Sequence, residues 1–437
     1  MNKQTNFSKI SGELNFSGDK SLSHRAAILA AIAEGTSTLE NYLPAEDTMN
    51  TLKAFEAAGV KISGTPETGI EINSPGLSNI CSEQIEINVG NSGTAARLLL
   101  GLFSGLDGCK VVMDGDKSLR KRPMGRVTTP LQAVGAEFEP MDKLPISIIG
   151  RKLLSIIHTE NIGSAQVKSA IMLAAIASGV SLRLEEKKGS RSHTEKMLDF
   201  AGVSLMIEKT ADGGRIIEME PPYKVEPRDY KIWGDISSAS FFIVLGLLAK
   251  EGELTIRDVL LNPYRDRFVD ILQEMGGDIE VIKKDTRCGE KGGDIIVRPS
   301  KLHGIEIDPK DIPGLIDELP ILSIAGAFSD GVFQYKNAGE LRFKESDRIA
   351  AMIENLNRVG IPATELNDGL RIEGNPDTIL NGGVKSQMDH RIAMSFEIAN
   401  IISRSNGATE DISIDGKEWI TTSFPDFYDK LKFVLQP

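Results

Sequence analysis

DKSLSHRAAILAAIAEG, residues 19–35, opens on polar and charged residues and then runs into Ala, Ile and Leu on every side. Such a stretch reads as a helix buried all round, with its polar groups confined to its start. The same design returns at 91–105 (NSGTAARLLLGLFSG), 163–179 (GSAQVKSAIMLAAIASG) and 234–252 (GDISSASFFIVLGLLAKEG). It returns again at 317–331 (DELPILSIAGAFSDG) and 389–403 (DHRIAMSFEIANIIS). The starts lie 72, 72, 71, 83 and 72 residues apart, which marks an internal repeat of six units.

The remainder of each unit also recurs. A Gly and a strand follow the apolar helix, as at 180–184 and 253–256. A second, amphipathic helix comes next; in the fifth unit Ile349, Met352, Ile353, Leu356 and Val359 recur at helical spacing. In the first five units these helices end at Gly59, Gly135, Gly202, Gly276 and Gly360, glycine being the preferred left-handed stop. Two short strands around a turn close the unit, as at 61–63 and 70–72. The unit is roughly βαβαββ, so the fold class is mixed α/β (α+β). Six units exceed one ordinary core, which predicts two lobes of three. The longer interval before residue 317 predicts a lengthened hairpin near 285–293.

Composition narrows the function. The 437 residues are 41% hydrophobic and 26% charged, the balance of a globular chain. No apolar run nears the ~20 residues that span a bilayer, and the polar stretch Met1 to Ser11 lacks the features of a leader, so a cytoplasmic protein is expected. A net charge of −12 disfavours a nucleic-acid or anionic-membrane surface. Cys81, Cys109 and Cys288 are expected to be ordinary reduced thiols, neither a disulfide framework nor a zinc site. Phosphate-loop, dinucleotide-fold, H-E-x-x-H and C-x-x-C motifs are all missing from the sequence.

The repeat points to anions. A helix start exposes unpaired N–H groups and a partial positive charge, and every unit places small polar residues there. Cations accompany them: Lys20 and Arg25 at the first start, Arg391 at the sixth, and Lys117, Arg120, Lys121, Arg122 and Arg126 in DKSLRKRPMGR. Lys344 and Arg348 are interleaved with Glu345 and Asp347 before the fifth unit's second helix. Asp317, taken singly, reads best as a helix cap. His24, His193 and His390 each lie near an Arg, a poor setting for a metal ligand and a better one for hydrogen bonding.

GDKSLSHR, GNSGTAARL, GDKSLRKRPMGR, SAQVKSA, SRSHTEKM, GDISSASFF, IDELPIL, ELRFKESDR, MDHRIAMSF and TTSFPDF run in this order from residue 18 to 427. With them the chain resembles the 5-enolpyruvylshikimate-3-phosphate synthases, the shikimate-pathway family of enolpyruvyl transferases. The resemblance implies a two-lobed, inside-out barrel-like fold: 1–18 with 234–437 as one lobe, 19–233 as the other, hinged at 18–19 and 233–235 and closing on substrate. It implies that Lys20, Ser21, Arg25, Ser164, Ala165, Gln166, Ser190, Arg191, Asp317 and Lys344 hold shikimate 3-phosphate. Lys20, Asn91, Gly93, Thr94, Arg122, Gln166, Glu345, Arg348 and Arg391 would hold phosphoenolpyruvate, with Asp317, Glu345 and Lys20 catalytic. Ala165, His193, Glu340 and Thr422 depart from one branch of the family and put individual contacts in doubt. The resemblance further implies a monomer without metal or cofactor. Space beside Gly93 implies sensitivity to glyphosate. The alternatives are transfer to UDP-N-acetylglucosamine, whose enzymes carry a reactive cysteine where DGDKSLRKRPMGR has none, and a non-catalytic two-lobed anion binder.

Overall fold

The computed structural model describes residues 9–81, 84–211 and 213–436; residues 1–8 of the polar opening stretch lie outside it. The first repeat is β1 (Lys9–Asn15), α1 (Lys20–Ile32), β2 (Gly35–Glu40), α2 (Glu46–Ala57), β3 (Lys61–Thr65) and β4 (Gly69–Ser74). The second is β5 (Gln84–Asn88), α3 (Gly93–Ser104), β6 (Lys110–Asp114), α4 (Gly125–Gln132), β7 (Glu137–Glu139) and β8 (Ile146–Ile149). The third is β9 (Ile156–Glu160), α5 (Ala165–Ser178), β10 (Leu182–Glu186), α6 (His193–Phe200), β11 (Met206–Lys209) and β12 (Arg215–Met219). The fourth is β13 (Asp229–Lys231), α7 (Ile236–Leu248), β14 (Glu251–Leu260), α8 (Arg267–Glu274), β15 (Asp278–Lys283) and β16 (Gly292–Arg298).

The last two repeats are looser. The fifth opens with the short α9 (Ile312–Leu315) and continues as α10 (Leu319–Ala327), β17 (Gly331–Tyr335), α11 (Arg348–Arg358), β18 (Ala363–Leu366) and β19 (Gly369–Gly374). Its first strand is reduced to parallel bridges from His303 to Asp330 and from Glu306 to Gln334. The sixth has β20 (Gly383–Val384), α12 (His390–Ser405), β21 (Ser413–Ile414), α13 (Phe427–Val434) and β22 (Leu435–Gln436).

The sheets follow one plan. Strand orders are β13-β2-β4-β3, β5-β6-β8-β7 and β9-β10-β12-β11, and β1-β14-β16-β15 with β22 beyond β1. The two strands that flank a buried helix run parallel, as β5 beside β6 and β9 beside β10. The opening strands of repeats one and four are exchanged: β1 pairs with β14, and β13 with β2. The chain forms two compact units, one of residues up to Phe16, Gly234–Asp285 and Lys291 onward, the other of Ser17–Trp233 and Thr286–Glu290. The first, which holds both ends of the described sequence, is the outer unit, and the second is the middle unit. The loop between β15 and β16 spans 284–291, against 66–68 between β3 and β4, so the longer hairpin is where the spacing put it.

The first helix of each repeat is buried almost throughout, α1 from Leu22 to Ile32 and α10 from Leu319 to Ala327. Close packing needs small residues: a Cβ at Gly101 of α3 would come within 2.2 Å of the Ala170 carbonyl oxygen of α5. One turn on, a Cβ at Gly105 would meet the Ala174 oxygen at 2.5 Å, so this glycine pair lets the two backbones touch. Gly59, Gly135, Gly202, Gly276 and Gly360 all have positive φ, as helix stops.

The thiol expectation is corrected. Cys81 and Cys109 form a disulfide, with Cα atoms 5.6 Å apart. Their separation of 28 residues hid the pairing: Cys81 lies just before β5 and Cys109 just before β6, and the parallel pairing of those strands, with Gln84 opposite Lys110, brings the two together. Cys288 stays a free buried thiol, pushed up to about 12 by burial. Among the described residues no helix is long and apolar enough to cross a membrane.

Three buried imidazoles set an acid response. Burial pushes His24 down from the ordinary 6.5 to about 3, and His193 and His390 to about 4. Each is neutral in the fold and takes a proton near 6.5 once unfolded. The unfolded chain then binds more protons, so stability present above pH ~6.5 is lost as pH falls toward 4, at ~1.4 kcal/mol per pH unit for each histidine. Urea unfolding at pH 7, 6 and 5 is expected to show that slope, and His24→Gln to reduce it by about one proton. A flat profile would contradict the neutral assignment.

Candidate active site

Each unit carries its own polar cluster at its helix starts. In the middle unit Asp19, Ser92 and Ser164 cap α1, α3 and α5, accepting from the backbone N–H of Leu22, Ala95 and Val167. These caps leave the remaining N–H groups of each first turn as donors. Lys20 pairs with Asp47 of α2. Arg25 is turned inside: Nε donates to Thr194 Oγ1 at 2.7 Å, one terminal nitrogen to Ser169 Oγ at 2.7 Å, the other to the Ser21 carbonyl at 3.0 Å. Burial lowers its pKa to about 10, which leaves it charged at neutral pH.

Two short chains of contacts bring the other expected residues together. Arg97 donates to Gln166 Oε1 at 2.6 Å, and Gln166 Nε2 donates to Thr94 Oγ1 at 3.0 Å. Arg122 donates to Asn91 Oδ1 at 3.1 Å, and Asn91 donates to Asp116 at 2.7 Å. Gly93 lies against both guanidinium groups: a Cβ there would be 3.1 Å from Arg97 and 3.3 Å from Arg122. Of the basic run 117–126, Arg120 instead pairs with Asp114, and Arg126 is exposed. The run is partly helical, with a 3₁₀ turn at Leu119–Lys121 and α4 starting at Gly125.

Ser190 and Arg191 follow β10. The Ser190 hydroxyl donates to Glu186, which also binds Lys168 at 3.3 Å and Arg215 at 3.0 Å. Lys168 reaches Glu195 at 2.8 Å, and Arg215 donates back to the Ser190 carbonyl at 2.7 Å. This knot of charges is buried, Lys168 and Glu186 completely. Ala165 is simply the first residue of α5. His193 Nδ1 lies 2.7 Å from Glu290, which Lys196 also binds at 2.7 Å. Burial raises the Glu290 carboxyl less than His193 and Lys196 lower it, leaving it at about 2.

In the outer unit the centre is Arg348, only 1% exposed. It reaches Asp389 at 2.8 Å, Glu345 at 2.6 Å and Asp317 at 3.6 Å. Burial works against its charge, but Asp389, Glu345 and Asp317 outweigh that and hold it protonated. Burial would likewise raise Asp389, and Arg348 overrides it, so the carboxylate stays ionised. Lys344 sits 3.7 Å from Asp317, and Arg391 donates to the Asp317 carbonyl at 2.8 Å. The capping expectation for Asp317 is corrected: the cap position of α10 belongs to Glu318, which makes no cap bond, while the Asp317 carboxylate faces Lys344 and Arg348. Glu318 is fully buried and accepts the Ser237 hydroxyl, itself bound by Arg265 at 2.5 Å.

Sequence reasoning passed over Asp389, Arg265, Asp47 and Arg97. Asp389 had a signal, since an Asp just before an apolar run is a cap, and it does accept from Arg391 N–H at 2.9 Å. Arg97 stood four residues after Gly93 on one helix face. Arg265 had none, because its partners are far away in sequence.

Chemically, the middle unit offers cations and helix-start donors, a setting for anions. The outer unit offers Asp317 and Glu345, 16% and 26% exposed, beside Lys344 and Arg348: carboxylates able to exchange protons in a cationic surround.

Comparison with known proteins agrees. The family described as EPSP synthase (3-phosphoshikimate 1-carboxyvinyltransferase) matches residues 4–431. The 3-phosphoshikimate 1-carboxyvinyltransferase of Leptospira biflexa is 43% identical over 426 residues, covering 97% of each chain. That of Geobacter metallireducens is 42% identical over 428 residues, again 97% of each. The solved EPSP synthase of Acinetobacter baumannii superposes with a TM-score of 0.86 at 36% identity, over 98% of this chain and 96% of the other. The enolpyruvyl transferase NikO of Streptomyces tendae shares the fold, with a TM-score of 0.68 at 14% identity over 98% and 95% of the two chains.

Gly93→Ala tests the middle cluster. The new methyl must displace Arg97 and Arg122 by a few tenths of an ångström. The KM for an anionic substrate is expected to rise roughly tenfold. Melting temperature should not fall, since Ala favours a helix over Gly by about 1 kcal/mol. An unchanged KM would separate Gly93 from the site.

Proposed function

Because the chain belongs to the EPSP synthase family, we propose that it transfers the enolpyruvyl group of phosphoenolpyruvate to the 5-hydroxyl of shikimate 3-phosphate, releasing phosphate. The observation that carries the assignment of roles is the Arg348 cluster, with two part-exposed carboxylates next to Lys344. Protonation of C3 of phosphoenolpyruvate makes C2 cationic, and the hydroxyl oxygen adds there as its proton departs. The tetrahedral adduct then breaks its C2–O bond to phosphate, and C3 returns a proton to leave the enolpyruvyl ether.

Asp317 takes the hydroxyl proton, and Glu345 with Lys20 handles the C3 proton. Arg122, Arg348 and Arg391 stabilise the carboxylate and phosphate of the donor through forked donors, beside Asn91, Gly93, Thr94 and Gln166. Ser21, Ser164, Ala165, Ser190, Arg191 and Lys344 hold the acceptor, whose phosphate meets the start of α5. Arg25 also serves the acceptor: three of its five N–H donors go to Thr194, Ser169 and Ser21, which fix it beside Lys20 and Ser21. No phosphoryl group moves, so the chemistry calls for no magnesium clamp. This reading pictures a cytoplasmic monomer.

Phosphate release with phosphoenolpyruvate is expected with shikimate 3-phosphate and not with UDP-N-acetylglucosamine, the product mass showing the enolpyruvyl ether. The same reaction should be inhibited by glyphosate in competition with phosphoenolpyruvate. Release with the nucleotide sugar alone would overturn the acceptor. Glu345→Gln is expected to lower kcat by roughly 10²-fold or more while shikimate 3-phosphate still binds within about threefold; equal loss of both would make the residue structural.

A further inference from the structure

Lys344 and Glu345 lie in a segment that the core does not hold. Leu341 is fully buried, and the next buried side chain is Arg348. Between them Phe343 is 70% exposed, so no apolar anchor fixes the loop. Its shape must come from polar contacts, and one side chain supplies three of them.

Arg342 donates from Nε to Asp368 at 3.0 Å, from one terminal nitrogen to Asp347 at 3.0 Å, and from the other to Glu365 at 2.5 Å. Asp347 is the cap of α11, accepting from Ala350 N–H at 3.1 Å. The Arg342–Asp347 contact therefore closes a ring of chain whose interior is Phe343, Lys344, Glu345 and Ser346. Glu365 and Asp368 belong to β18 and the turn that leads into β19, which tether the ring from outside.

That turn is itself built against the loop. Asp368 has φ of +49° and its carbonyl accepts from Ala338 N–H at 2.7 Å. A Cβ at Gly339 would lie 3.0 Å from the Asp368 carboxylate, so only a glycine leaves this approach free. Beyond the ring, Ser346 donates to Asp389 at 3.0 Å, on the same carboxylate that binds Arg348.

We propose that Arg342, bolted to the Asn367–Asp368 turn, is a positioning residue for the reaction, setting where Lys344 and Glu345 stand relative to Asp317 and Arg348. The inference rests on the roles proposed above for Glu345 and Lys344. Three carboxylates in three directions match the planar fork of a guanidinium, which an ammonium cannot reproduce. All four groups are substantially solvated, and such pairs add little to stability. Their loss should thus disturb geometry more than folding.

The test compares the unsubstituted enzyme with Arg342→Ala, Arg342→Lys and Asp368→Asn, using phosphoenolpyruvate and shikimate 3-phosphate. Both Arg342 variants are expected to lose roughly 10²-fold in kcat, with each KM within about threefold and the melting temperature nearly unchanged. Asp368→Asn, which keeps a residue tolerant of left-handed backbone, should move kcat the same way by less. Millimolar guanidinium should restore much of the kcat of Arg342→Ala and none of that of Arg342→Lys. Unchanged kcat in both Arg342 variants, or a parallel collapse of kcat, KM and melting temperature in all three, would overturn the proposal. No turnover by the unsubstituted enzyme, or full turnover by Glu345→Gln, would instead sink the reading of Glu345 on which it stands.

Discussion

A helix that is apolar on every side has only its ends left for polar residues. Burying it also leaves the N–H groups of its first turn without partners unless side chains or ligands meet them. Every repeat of this chain faces that constraint. The result is a series of starts, at Asp19, Ser92, Ser164, Asp235 and Asp389, where a short oxygen-bearing side chain accepts from one or two of those N–H groups. Lys20, Gly93, Thr94, Gln166 and Arg391 stand at these starts, and where a polar group is buried farther along such a helix, as at Lys168 and Asn400, another side chain meets it.

The fifth start differs. Glu318 takes the cap position of α10 but spends its carboxylate on Ser237, within a buried group that includes Arg265. Just before that uncapped turn, Asp317 faces Lys344 and Arg348, and its carbonyl holds Arg391. A second buried knot, Lys168 with Glu186, Glu195 and Arg215, underlies Ser190 in the middle unit. Buried ion networks of this sort gain little net stability, since desolvation offsets attraction. What they contribute is placement, holding a few side chains in one geometry.

Much of this was open to a reading of the chain alone. The repeat, the burial of its first helices, the glycine stops and the lengthened hairpin all follow from local periodicity, because a helix must satisfy its own spacing whatever surrounds it. The exchange of β1 and β13 was contained in the lobe bounds that the family resemblance implies, but not in the residues alone, since a strand's partner is set by sheet edges far away in sequence. The Cys81–Cys109 pairing was missed for the same reason.

Within the site the division is similar. Lys20, Arg122, Asp317, Lys344, Glu345, Arg348 and Arg391 stand in motifs whose residue types announce charge chemistry. How each is held was decided by tertiary structure: Arg348 is buried against Asp389, and Asp317 is no cap but faces Lys344 and Arg348. Asp389, Arg265 and Arg342 acquire their work only through partners brought from other elements. The sequence by itself determined the repeating helices and the kinds of group at their starts, because both depend on neighbours within a turn or two. Only the tertiary structure decided which charges meet, because an ion pair depends on distance in space, and the chain's order does not encode that directly.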